Sequence, residues 1–113
     1  MDCIFCKIAK GEIPSQIVYE DSKVMAFKDI NPQAPVHIVI IPKEHIKSIM
    51  DINEDNCDLM SHIILAVKTI TKKMNIADTG FRLLTNTGKD GGQEVLHLHF
   101  HLLGGRSMQW PPG

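Results

Sequence analysis

The run Glu94-Val95-Leu96-His97-Leu98-His99-Phe100-His101-Leu102-Leu103 sets a histidine at every second position from 97 to 101, with large apolar residues between. A period of two belongs to an extended strand, whose side chains alternate between its faces; a helix would scatter the same histidines around its axis. The spacing therefore predicts a last strand over 95–103, with His97, His99 and His101 on one face and Leu96, Leu98, Phe100 and Leu102 buried on the other. Three adjacent imidazoles are costly for structure alone, because each brings ring nitrogens that need partners and, charged together, they repel. A metal-binding face or the polar outer face of a sheet would account for them without catalysis. Their place just after the glycine-rich Thr87-Gly88-Lys89-Asp90-Gly91-Gly92 favours a reactive surface. Glycines there let backbone N–H groups approach a phosphate, although such loops also simply turn. Neutral imidazole is a competent nucleophile at phosphorus, and neighbouring histidines can fix its tautomer or donate to the phosphate oxygens.

The remainder of the chain supplies a frame for that strand. Cys3 to Lys10 reads as a short helix, Ile17–Tyr19 and Val24–Phe27 as a hairpin, and Val36–Ile41 as a strand buried on both faces until Pro42 ends it. From Asn53, with Glu54 and Asp55 in a first turn, the spacing predicts one long helix whose apolar stripe is Cys57, Met60, Ile64, Val67 and Met74, with Lys72 and Lys73 at its C-terminal end. On that reading Ile63 and Ile70 flank the stripe and need another partner, while Cys57 and His62 are core or interface residues without chemistry. Phe81–Thr85 reads as a fourth strand and Asn86–Gly92 as a loop. Consecutive strands with one long helix between the third and fourth imply an α+β fold on a mostly antiparallel sheet, and 113 residues fit a single domain over 1–113.

A net charge of −1 offers no bulk field for a nucleic-acid backbone, so none is expected as a partner. Met1-Asp2-Cys3 does not open a basic-then-apolar leader and no stretch reaches bilayer length, so a cytoplasmic chain without a membrane partner is expected. Three cysteines, two of them in Cys3-x-x-Cys6, suit metal binding or free thiols better than a disulfide framework.

Taken with Asp29-Ile30-Asn31-Pro32-Gln33-Ala34-Pro35-Val36-His37 and the terminal Gly104-Gly105-Arg106-Ser107-Met108-Gln109-Trp110-Pro111-Pro112-Gly113, the histidine run resembles the histidine-triad (HIT) superfamily, its Hint-type branch above all. The resemblance covers nearly the whole chain. It implies a five-stranded sheet with one long and one short helix, continued across a homodimer. It also implies hydrolysis of purine nucleoside phosphoramidates to AMP or GMP and an amine. Among the triad residues His97, His99 and His101, it makes His99 the nucleophile and His101 the phosphate ligand, with His37 as a remote supporting histidine. It carries nucleotide contacts onto Phe5, Ile8, Phe27, Asp29, Ile30, Asn86, Gly92, Glu94 and Val95 besides His99 and His101. Asp29 suits two neighbouring ribose hydroxyls as a bidentate acceptor. Glu94 stands where better-known members of the branch carry a serine, which leaves the leaving-group contact open. A dinucleoside-polyphosphate hydrolase or a nucleotidyl transferase would use the same His99 adduct, and a nucleotide-binding regulator would keep the pocket without turnover.

Cys3 and Cys6 need two further ligands to hold zinc, and His45 and His97 are the candidates, as a related transferase branch resembles. A four-ligand zinc is structural. The other reading makes the two cysteines small buried residues of the first helix. The tail 107–113, with two prolines, belongs to neither sheet nor helix, and its Trp110 is expected to find a pocket; in the family the tail reaches toward the partner's active site.

Overall fold

The structure, a computed structural model, describes residues 3–113. Its elements in chain order are helix α1 (Ile4–Ala9), strands β1 (Ile17–Glu20), β2 (Val24–Lys28) and β3 (Val36–Pro42), a 3-10 turn at Ile49–Asp51, helix α2 (Asp58–Lys73), and strands β4 (Phe81–Leu84) and β5 (Phe100–Gly104). The strands make one five-stranded sheet in the order β1-β2-β3-β5-β4, every neighbouring pair antiparallel.

The apolar runs of β2 and β3 follow from a sheet covered on both sides. Val24, Ala26, Ile38 and Ile40 join Phe100 and Leu102 of β5 in a core closed by Ile63, Ala66, Val67 and Ile70 of α2. Their neighbours Met25, Phe27, Val39 and Ile41 point to the opposite face, where Cys3, Phe5 and Ile8 of the α1 region cover them. Burying each such side chain is worth roughly 1.5–3 kcal/mol. The second face is only partly covered, and the gap beside α1 is the cleft described below. Among the described residues no helix is long and apolar enough to cross a membrane.

Three expectations need correction. The last strand begins at Phe100, not Val95, so the three histidines do not share one strand face, and Leu96 lies 53% exposed instead of buried. The segment before it leaves the sheet to bond elsewhere, with Leu98 N–H donating to the Ile46 carbonyl at 2.6 Å. The long helix starts at Asp58; Asn53 caps the preceding turn, its Oδ1 accepting from Asp55 N–H at 2.8 Å and Asn56 N–H at 3.2 Å. Its buried stripe is Leu59, Ile63, Ala66, Val67, Ile70 and Thr71, which puts Ile63 and Ile70 in the core and leaves Cys57 and Ile64 in solvent. At the other end Asn75 takes φ 59° as Asn75 N–H bonds the Lys72 carbonyl and Ile76 N–H bonds that of Thr71. That pairing is the Schellman stop, with Ile76 buried against the core.

Candidate functional site

Helix α1, strands β2 and β3, the start of β5 and the loop before it enclose a cleft of about 930 Å³, within the usual range for small-molecule sites. Phe5, Ile8, Phe27, Asp29, Ile30, Asn86, Gly92, Glu94, Val95, His99 and His101 all line it, as does His37. His97 does not. Its ring lies fully buried, Nδ1 facing Cys3, Cys6 and His45 and Nε2 bonding the Pro42 carbonyl at 2.8 Å. His97 therefore reaches the cleft only through its backbone carbonyl, which accepts from His99 Nδ1–H at 2.7 Å.

That bond fixes the first of two tautomers. With its proton on Nδ1, neutral His99 keeps a lone pair on Nε2. The second follows from a main-chain donor: Gln33 N–H bonds His37 Nδ1 at 3.0 Å, so neutral His37 carries its proton on Nε2. His37 Nε2–H donates to His101 Nδ1 at 2.8 Å, with the Asp29 carboxylate 3.3 Å from the same nitrogen. His101 then holds its proton on Nε2. His99 and His101 thus supply one ring with a free lone pair and one with a free N–H, the complement of attack at phosphorus and donation to its oxygen. Burial pushes His37 and His101 below the ordinary imidazole value. Asp29 pulls His37 part of the way back, and His99 and His37 deepen the shift at His101. Both groups are held neutral near pH 7, as these tautomers require.

Asp29 Oδ1 accepts Asn31 N–H at 2.8 Å, which fixes the carboxylate at the cleft edge with a lone pair on each oxygen to spare. The glycine loop takes the turning reading at two of its amides. Gly88 N–H donates to Gln93 Oε1 at 3.1 Å and Gly92 N–H to the Lys89 carbonyl at 3.0 Å, so these two amides serve the loop and not a phosphate. Gly91 is required by space, since a Cβ there would stand 2.3 Å from the Thr87 carbonyl oxygen. The structure adds Ser15, whose Oγ is buried in the cleft wall without a hydrogen-bond partner among the described residues, and Gln33, which acts through its backbone. Nothing in residue type or spacing marks either one.

On the far side of Phe5, Cys3, Cys6, His45 and His97 bring their ligand atoms within 4.8 Å of one another. Cys3 Sγ and Cys6 Sγ lie 3.3 and 3.6 Å from His97 Nδ1, Cys6 Sγ lies 3.3 Å from His45 Nδ1, and the two Nδ1 atoms are 3.2 Å apart. A tetrahedral zinc with bonds of about 2.3 Å to sulfur and 2.0–2.1 Å to nitrogen separates its ligands by roughly 3.3–3.8 Å. The Pro42 carbonyl behind His97 supplies the outer hydrogen bond that aims a metal-ligating imidazole. The donor set is that of a closed structural zinc site, with no position left for substrate.

A family model described as "Scavenger mRNA decapping enzyme C-term binding" matches residues 2–110. An uncharacterised HIT-like protein of Synechococcus elongatus is 50% identical over 112 residues, covering 99% of this chain and 97% of the relative. The chain belongs to the histidine-triad (HIT) family. A 14 kDa zinc-binding protein of Zea mays is 48% identical over 112 residues, 97% of this chain and 87% of that one. Its name agrees with the donor set found here. Among solved structures, a HIT family hydrolase from Legionella pneumophila superposes with a TM-score of 0.97 at 51% identity, covering 99% of this chain and all of that one. A histidine triad nucleotide-binding protein from Candida albicans gives 0.82 at 39%, covering 97% and 83%. The HIT assignment accounts for the α+β fold and for a hydrolase-type site.

Proposed function

We propose that the chain hydrolyses purine nucleoside phosphoramidates, releasing AMP or GMP and an amine, through a nucleotidyl adduct on His99. The observation that carries the reading is the pair of opposed tautomers: a lone pair on His99 beside an N–H on His101. His99 Nε2 attacks the α-phosphorus while His101 Nε2–H donates to a non-bridging oxygen. The P–N bond of the substrate breaks with its electron pair on the leaving nitrogen, which takes a proton from solvent and departs as the amine. Water then attacks the phosphorus and gives up a proton, and the pair of the P–Nε2 bond returns to His99. One water is consumed in all.

Phe5, Ile8, Phe27 and Ile30 offer apolar contact to a purine, and Asp29 offers acceptors to the ribose. The nucleotide-binding name of the Candida albicans protein supports the ligand class. The His99→Asn variant should lose turnover while holding AMP within roughly tenfold, about 1.4 kcal/mol. Appreciable hydrolysis by that variant overturns the covalent route. Assays of AMP-lysine, diadenosine polyphosphates and sugar nucleotides side by side separate this reading from polyphosphate hydrolysis and nucleotidyl transfer.

A homodimer belongs to the same reading. The outer edge of β4 ends the sheet, and Ile64, Leu65 and Phe81 stand 46%, 60% and 43% exposed. Trp110 is 82% exposed and finds no pocket among the described residues of its own chain; the tail is tied back where Arg82 donates to the Gln109 carbonyl at 3.0 Å. A second copy would cover this apolar surface. Sedimentation as a monomer at micromolar concentration overturns the dimer.

A further inference from the structure

The zinc cluster and the cleft share residues, and the sharing has a direction. Helix α1 has only six residues, too few to hold its shape alone. Among the described residues, the backbone hydrogen bonds of this segment besides those inside the helix run from Lys7 to Cys3, Lys10 to Cys6, Gly11 to Ile8 and Glu12 to Lys7, all within the segment itself. No strand among the described residues pairs with it. What docks it is side chains: Phe5 and Ile8 against Met25, Phe27, Val39 and Ile41, and the two cysteines that bracket Phe5 in the metal cluster. The same helix presents Ile4, Phe5 and Ile8 to the cleft as the wall against which a base would lie.

The Phe5 ring spans the two sites. It meets the His97 ring edge-on at 5.9 Å and the His99 ring at 5.0 Å, each between ring centroids. His97 makes a second link, with Nδ1 in the cluster and its carbonyl on His99 Nδ1. A cluster that loses its cation loses the tie on both ends of this arrangement, at α1 and at His97. The wall and the nucleophile then slacken together.

We infer that Phe5 and His97 are positioning residues coupling the zinc cluster to the nucleotide cleft, so that metal occupancy and nucleotide binding strengthen each other. The observation is the Phe5 ring, set between two metal-ligating cysteines and packed against both a metal-ligating and a cleft histidine. Linkage makes the coupling reciprocal: whatever factor the metal adds to nucleotide affinity, the nucleotide adds to metal affinity. The inference rests on the cleft being the nucleotide site. It adds a dependence on occupancy that a merely stabilising zinc would not have.

The test uses the full chain loaded with zinc and the same chain stripped by chelator, with AMP as the probe. Calorimetry should show AMP binding weakened by about tenfold or more on stripping, and a chromophoric chelator should report zinc held tighter by the same factor at saturating AMP. Phe5→Leu should still bind one metal per chain but show a coupling factor below about threefold. Should the stripped chain unfold, cobalt-loaded protein decides: AMP should shift the visible absorption of the Cys2His2 cobalt in the unmodified chain and leave that of Phe5→Leu nearly unchanged. Zinc affinity indifferent to AMP, a cobalt spectrum indifferent to AMP, or a Phe5→Leu chain as strongly coupled as its parent overturns the inference alone. Loaded protein without measurable AMP affinity overturns the nucleotide-site reading along with it.

Discussion

Two clusters in this molecule have similar spacing and opposite neighbours. In the first, Cys3, Cys6, His45 and His97 converge, and the atom behind His97 is an acceptor, the Pro42 carbonyl. In the second, Asp29, His37 and His101 converge within the same 4.8 Å, and the atom behind His37 is a donor, the Gln33 amide. A carbonyl behind a neutral imidazole holds the proton at the far nitrogen and leaves a lone pair facing the cluster. An amide in that place puts the proton into the cluster. One arrangement accepts a cation and the other passes hydrogen bonds forward. The difference teaches that convergent histidines and carboxylates do not by themselves define a metal site; the partner of the other ring nitrogen decides.

The contrast can be broken most severely at the metal. Cys6→Ala should take bound zinc from about one per chain to none and lower Tm by roughly 10–20 °C, the shift for a loss of about 2–3 kcal/mol in a domain of this size. Metal analysis and a thermal scan check both, and full zinc in the variant would dissolve the distinction. His37→Asn attacks the other cluster. It should leave zinc content alone, since His37 is not among those ligands, and reduce kcat by about a hundredfold, because His101 loses the partner that sets its proton. A variant that loses zinc along with rate would show that the clusters are not separate.

Acidification sharpens the same comparison with a smaller effect. His37 and His101 are depressed by burial, so below the unfolded imidazole value, about 6.5, the unfolded chain binds protons that the folded chain refuses. Stability is full above that value and falls as pH drops below it toward the folded pKa values. Tm measured from pH 7.5 to 5.5 should decline, and the decline should be shallower in His37→Asn at constant zinc content. Equal slopes in the two proteins would count against burial of His37 as the source. The smallest effect is expected at the cleft rim. Glu94 is exposed, so Glu94→Ser should change stability by less than about 0.5 kcal/mol while reordering amine leaving groups in kcat/KM. An unchanged ranking would remove Glu94 from the leaving-group side.

The sequence made the frame legible because β2 and β3 are apolar on both faces and β5 alternates between the covered core face and the partly covered cleft face. It misled over 95–99, where the period of two continues although the chain has left the sheet. His97 is drawn to the metal cluster and Leu98 to the Ile46 carbonyl, and neither pull is written in residue spacing. The facing of α2 failed for another reason. Ile63, Ile64 and Leu65 are consecutive and apolar, so two stripes satisfy the helical period, and only the sheet selects one. The residues placed at the nucleotide all line one cleft, because resemblance carried them individually. The tautomers were illegible, since they rest on three backbone groups: the carbonyls of His97 and Pro42 and the amide of Gln33.

Because that last donor belongs to the main chain, the direction of the hydrogen-bond chain into the cleft survives almost any exchange of side chain at position 33. The Gln33 side chain is exposed, with its amide spent on the Asn31 carbonyl, and can drift without touching the His37 proton. Proline alone among the twenty residues lacks the hydrogen concerned. A polarity that a side-chain carboxylate would leave one point mutation from reversal is here carried by a group that the genetic code can remove in only one way.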